Sequence, residues 1–261
     1  ALLVENAAGT DLVEIGGDGK VGIGTSAPGD LLEVQAVAGS PGVINIATGE
    51  RTVVDSNVLG RIDFYAPLES SGTDAILPGA SIWAEADDTF TTTVNNTEIV
   101  FATATSATAA EVMRIDATGK LGINTAIPST LLEVQADAGS AGTATLSSGE
   151  LTVVDGDVLG RINFQAPLES DGTDAIAIAA AIYAEADATF SASVNNTEIV
   201  FATGESEAAT EKMRLDSSGK LGINTALPST LVEIQADAGA AGTATLSTAE
   251  LTVSDLSLIH I

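Results

Sequence analysis

Residues 113–138 read Met-Arg-Ile-Asp-Ala-Thr-Gly-Lys-Leu-Gly-Ile-Asn-Thr-Ala-Ile-Pro-Ser-Thr-Leu-Leu-Glu-Val-Gln-Ala-Asp-Ala, and residues 213–238 carry a close copy. A looser copy starts near Val13 and runs through Lys20, Gly22, Ile23, Pro28 and Leu32 to Gln35. Lys20, Lys120 and Lys220 fall at one spacing of 100 residues, as do Pro28, Pro128 and Pro228. From Lys120 to Ala138 the second and third copies differ only at Ile127/Leu227, Leu132/Val232 and Val134/Ile234. All three are aliphatic exchanges of similar volume, the kind a packed layer tolerates best. A period this long decides the fold, because each repeat is then one structural unit that buries its surface against its neighbours.

Outward from that stretch the unit fills with short strands. Met113 and Ile115 alternate with Arg114 and Asp116, the period of a β-strand. Ala117-Thr118-Gly119-Lys120 reads as a tight turn with glycine at a positive φ. Leu121–Asn124 is the return strand, Pro128 marks a corner, and Leu132, Val134 and Ala136 alternate again. A small-residue turn at 138–142 then leads into a Thr-rich strand. The other half of the unit is as regular: Val58–Phe64 recurs at 158–164, Ala66–Ser70 at 166–170 and Val94–Thr103 at 194–203. Phe64/164, Phe90/190 and Phe101/201 are paired, and Trp83 is matched by Tyr183, so the large side chains hold fixed places in each unit. The stretch 204–212 reads as a loop.

These signals predict an all-β chain of tandem β repeats about 100 residues long. Residues 1–10 read as the end of a preceding repeat, 11–110 as one unit, 111–210 as a second and 211–255 as part of a third. The phase is arbitrary, since no linker separates the units. At 256–261 the period breaks: Leu-Ser-Leu-Ile-His-Ile stands where Gly-Asp-Val-Leu-Gly is expected to begin. That hexapeptide matches the translation of CTG-TCT-CTT-ATA-CAC-ATC, which resembles a transposon-based sequencing adapter, and is read as a non-native tail. His260, the single histidine, lies within it and is given no role. The opening Ala1, without a Met, suggests a fragment or processed form.

Composition narrows the function. With 36 acidic against 9 basic residues the net charge is −27, which argues against nucleic acid and anionic membrane surfaces as partners. Charged residues are nevertheless only 17% of a chain that is 45% hydrophobic, so the acidity is not the signature of disorder. Aromatics are only 3%, and the small and β-branched aliphatics that dominate suit thin β layers. The absence of cysteine excludes disulfides and thiolate metal sites. The longest apolar run, Ala175–Ala184, is too short to span a bilayer, and no membrane insertion is expected.

Several motifs invite a sharper reading. Gly17-Asp-Gly-Lys-Val-Gly22 fits the dinucleotide pattern, but a strand follows it where a helix is needed, and the first glycine becomes Ala117 or Ser217 in the later copies. Asn95-Asn-Thr97 and Asn195-Asn-Thr197 are glycosylation sequons by pattern and repeated turns by context. Asp87-Asp88 and Asp155-Gly-Asp157 are acidic, but neither is a complete calcium loop, and Asp157 is matched by Asn57. Arg61/161 and Arg114/214 recur in a base-poor chain and are expected to pair with carboxylates such as Glu85/185, or with those of a neighbouring subunit. The repeat has no histidine or cysteine from which to build a nucleophile–base pair. Carboxylates could hydrolyse glycosides, but identical sites in every unit with few aromatics to hold a sugar disfavour that. No catalytic, cofactor-binding or metal-binding residue is assigned.

The pattern Glu111-x-Met-Arg-Ile-Asp-x-x-Gly-Lys-Leu-Gly-Ile-Asn-Thr-x-x-Pro-x-x-x-Leu-x-Val134, preceded by Gly-Arg-Ile-x-Phe and Glu-Ile-Val-Phe-Ala-Thr, resembles the repeats of bacteriophage tail fibres and related long bacterial surface fibres. There the stretch typically reads R-M-R-I-D-x-x-G-N-V-G-I-G-T-x-x-P-x-x-x-L-x-V. Gly22-Ile-Gly-Thr25 fits best; Asn124 and Asn224 replace the second glycine, and lysine stands where that family often has asparagine. The resemblance implies an elongated, intertwined or stacked homotrimeric β shaft, non-enzymatic and extracellular, on a virion tail or a cell surface. Its partners would be copies of itself and neighbouring fibre or tail proteins. The alternative is a self-assembling extracellular filament or adhesin of a bacterium or archaeon.

Overall fold

The computed structural model describes residues 2–5, 11–66, 68–70, 72–170 and 172–236. The expected third repeat from residue 237 onward and the anomalous 256–261 segment lie outside the described residues. Among the described residues regular structure is β throughout, apart from a single 3-10 turn at Asp74–Ile76. Among the described residues no helix is long and apolar enough to cross a membrane. The chain divides into two units, Ala1–Thr143 and Ala144–Ile261.

The first unit holds two sheets. One has four strands in chain order, β1 (Leu2–Glu5), β2 (Asp11–Ile15), β3 (Val21–Ile23) and β4 (Leu32–Val34). The other has six: β5 (Val58–Phe64), β6 (Ala80–Ala86), β7 (Thr97–Thr103), β8 (Ala110–Ile115), β9 (Leu121–Ile123) and β10 (Leu132–Val134). The second unit holds one six-stranded sheet, β11 (Val158–Gln165), β12 (Ile178–Ala186), β13 (Thr197–Thr203), β14 (Thr210–Leu215), β15 (Leu221–Ile223) and β16 (Val232–Ile234). Neighbours in sequence are neighbours in each sheet. All pairs are antiparallel except the last of each sheet, β3/β4, β9/β10 and β15/β16, which are parallel.

The two six-stranded sheets repeat in detail. Phe101 pairs with Met113 and Ala102 with Glu111, so Val112 is a bulge, and Phe201/Ala202 make the same irregularity against Met213/Glu211. β1 makes it too, at Val4/Glu5 against Val13/Asp11, so β1 stands where β7 stands in the next sheet. Each six-stranded sheet starts late in one 100-residue stretch and ends early in the next.

The turns follow the local chemistry. Gly119 and Gly219 adopt φ of 84° and 82° between β8/β9 and β14/β15, and the Asp116 side chain accepts from the Thr118 and Lys120 amides at 2.8 and 2.9 Å. At 204–212 the loop reading holds only to residue 209, because Thr210 already pairs with Thr203. The Thr-rich strand expected after the 138–142 turn is a larger difference. Gly139 turns the chain at φ 89°, but residues 141–150 carry no ladder pairing among the described residues, although the backbone of Leu146 lies against Gly160 of β11.

Candidate functional site

The repeated stretch builds a short parallel crossover. Parallel neighbours usually need a dozen or more connecting residues; here residues 124–131 suffice, and the signature side chains close the loop. Lys120 Nζ donates to the Pro128 carbonyl at 3.0 Å, Lys220 to Pro228 at 3.1 Å and Lys20 to Pro28 at 3.2 Å. A Cβ on Gly122 would lie 2.5 Å from the Thr125 carbonyl oxygen, which leaves no room for any other residue there. Asn124 and Asn224 turn the chain at φ 57° and 58°, and their side-chain amides donate to the Gln135 and Gln235 carbonyls at 3.1 and 3.0 Å. Gly24 does the same turn at φ 74°, so Asn and Gly are alternative answers to one left-handed position. Ser129 donates its amide and hydroxyl to Glu133 at 2.7 and 2.6 Å. The hydroxyl first, and the amide after it, hold the Glu133 carboxyl below its ordinary range.

One face of each six-stranded sheet is polar, and in β7 and β13 it is the buried face. Arg114 reaches Glu98 at 2.5 Å and grips Glu111 through Nε and Nη2, both at 2.5 Å, while Glu98 is only 4% exposed. Arg61 donates to Asp63 at 2.5 Å and Ser81 at 2.8 Å and lies 5.1 Å over the Trp83 ring. Glu85, the carboxylate expected to hold an arginine, instead accepts from Trp83 Nε1 at 2.8 Å. Arg161 bonds Asn163 and stacks on Tyr183. Arg214 binds Glu198 and Glu211 as Arg114 binds Glu98 and Glu111.

Here the second unit departs from the first. Glu198 lies opposite Glu185 as Glu98 lies opposite Glu85, but Tyr183 supplies no indole N–H, and Glu198 Oε2 is buried without a hydrogen-bond donor. Burial foremost, with Asp187 and Glu185 adding to it and Arg214 opposing it, pushes the Glu198 carboxyl up to about 7.

The other face carries the aliphatics and is open. The ladder sets Ile62, Ile82, Phe101 and Met113 side by side, and Ile99 beside Ile115. In β7 the alternation is complete: Glu98, Val100 and Ala102 are buried, while Ile99 is 45% exposed. Ile62, Phe64, Ile82, Ile99, Ile115 and Ile123 are between 37% and 54% exposed. None of the paired residues on this face is charged. The buried apolar side chains among the described residues are alanines, the corner prolines Pro128 and Pro228, and two valines, Val100 and Val200. A cleft of about 330 Å³ lies on the open face between Ile44, Ile46, Ile62, Ile82 and Ile99, and one of about 250 Å³ in the second unit between Leu146, Ile162, Ile182 and Ile199.

The other sequence motifs serve turns. Gly17–Gly22 forms the β2/β3 hairpin, with Gly19 at φ 83°. Thr97 Oγ1 donates to the Asn95 carbonyl at 2.9 Å. Asp157 and Asn57 accept from the Val154 and Val54 amides at 2.6 and 2.9 Å, which explains their exchange. Among the described residues no three His, Asp or Glu side chains gather as a metal site would require. Sequence reasoning found the arginines but missed the Glu98 and Glu198 pairings, since a lone glutamate in an apolar strand looks like a solvent-facing position.

No protein-family model and no curated protein sequence matches the chain. Solved structures do, two of them tail-fibre domains. The carboxy-terminal domain of the bacteriophage T5 L-shaped tail fibre aligns at 14% identity and a TM-score of 0.33, covering 84% of this chain and 98% of that one. The same domain with its intramolecular chaperone domain aligns at 15% identity and a TM-score of 0.32, covering 86% and 71%.

Proposed function

We propose that the chain is a non-enzymatic shaft segment of an extended extracellular fibre, built of tandem β units at 11–110, 111–210 and from 211 onward, and assembled as a homotrimer. It would hold a distal binding element away from a virion or cell. The observation that carries this reading is the open apolar face. A monomer that worked alone would cover its aliphatics and leave its ion pairs wet; this chain does the reverse, twice. In a chain of net charge −27, an uncharged face is also where copies can meet without like-charge repulsion. Covering six half-exposed aliphatics yields roughly 1 kcal/mol each. One sheet therefore reaches only the low end of the roughly 4–15 kcal/mol that association costs, and repeats in series supply the surplus.

Placing a carboxylate on that face is the test. Ile99→Asp with Ile199→Asp should leave the strands formed, since both positions are solvent-facing in one chain, and should abolish assembly in light scattering. Unchanged assembly would show that the open face is not the contact.

A further inference from the structure

Residues 44–49 (Ile-Asn-Ile-Ala-Thr-Gly) and 144–149 (Ala-Thr-Leu-Ser-Ser-Gly) run without turn or bend. Among the described residues none of their backbone N–H or C=O groups finds a hydrogen-bond partner; the nearest such bonds are those of the Glu50 and Glu150 amides to Thr48 Oγ1 and Ser148 Oγ. Backbone groups in an ordered stretch need partners. A solvated loop would answer that need with water, but such loops are polar and turn-rich. These stretches have no turn and hold aliphatics out to solvent: Ile44, Ile46 and Leu146 are 65%, 49% and 54% exposed. They are also held in place. A Cβ on Gly60 would come within 2.4 Å of the Ile46 carbonyl oxygen, and one on Gly160 within 2.4 Å of that of Leu146. The sheet thus gives up a side chain at the same place in each unit to let this backbone lie against it.

We infer that 44–49 and 144–149 are intersubunit strands, each pairing through its main chain with the same segment of another copy of this chain. The occupant follows from what the two segments share. Their side chains differ at five of six positions, so a partner reading side chains would not treat them alike; the unpaired backbone and the lack of charge are common to both. Identical copies arranged about one axis present identical backbones at the same height, and pairing around the axis leaves no open edge. The uncharged segments also lie beside the uncharged apolar face, so both surfaces would close in one event. This inference rests on the homo-oligomeric reading above.

The test uses the full chain. Asn45→Pro with Thr145→Pro removes one N–H from each segment, neither of which has a partner within the chain, whereas Asn45→Ala with Thr145→Ala keeps both. The proline chain should retain its strand signal by circular dichroism and need roughly tenfold or more protein to assemble, the effect of the two hydrogen bonds lost per chain; the alanine chain should assemble normally. In the assembled natural chain, hydrogen exchange at 44–49 and 144–149 should be slowed as in β7 and β13. Assembly of the proline chain at natural concentrations, or exchange of these amides at free-peptide rates inside the assembled natural chain, would overturn the inference while leaving the open-face reading intact. A natural chain that never associates would overturn both. If the proline chain fails to fold, the exchange measurement decides alone.

Discussion

Asn124 shows how a single position can carry the period. It sits left-handed at φ 57°, where only glycine and asparagine are at ease. Asn124→Gly should therefore keep the turn and lose only the side-chain bond to Gln135, costing about 1 kcal/mol, while Asn124→Val should lose that bond and add about 1–2 kcal/mol of backbone strain. Glu198 makes the opposite kind of prediction. It is buried against Arg214 and Glu211, with Glu185 and Asp187 nearby, and its carboxyl lies at about 7 in the fold against 4.5 as an ordinary glutamate. A raised acid binds its proton more tightly when folded. Its stabilising effect is complete below about 4.5 and is lost as pH rises toward 7 and beyond, by up to about 3 kcal/mol. Urea unfolding between pH 5 and 8 should show this decline, and Glu198→Gln should flatten it. A slope unchanged by that substitution would remove Glu198 as its source. None of this was legible in Glu198 itself, since the loss of the Trp83-type donor at Tyr183 matters only once the ladder places Glu185 opposite.

At the scale of the element, the repeated stretch is a hairpin, a corner and a strand locked by its own side chains. The hairpin and the Pro128 corner were readable, because glycine, proline and alternation act locally. The parallel pairing of β9 with β10 was not, because it depends on where Lys120 and Asn124 reach after the turn. Lys120→Met should keep the aliphatic stem and lose the bond to Pro128, costing about 1 kcal/mol and speeding amide exchange in β10 ahead of β7. Equal acceleration in both strands would mean that the lysine acts on the whole sheet. Alternation also made β7 and β8 recognisable as strands, yet it could not tell which face is covered. The usual rule puts aliphatics inward, and within one chain Ile99 and Glu98 break it together. The Thr-rich stretch after the 138–142 turn read as a strand and has no ladder partner among the described residues; the pattern reports strand character, not which molecule supplies the neighbour.

For the whole molecule, charge and apolar surface pull against each other. Three copies bring together three times −27 charges, so added salt should lower the concentration needed for assembly by screening that repulsion. If salt weakened assembly, intersubunit ion pairs would outweigh it. The 100-residue spacing was the most legible feature of the sequence, and the two six-stranded sheets share strand order, bulges and turns; the open face became visible only when the registers were known. The central claim, that this face closes against other copies of the chain, is tested most directly by the mass in solution. Light scattering on the full chain should give three times 26.1 kDa. A mass of one chain, unchanged with concentration and salt, would contradict it.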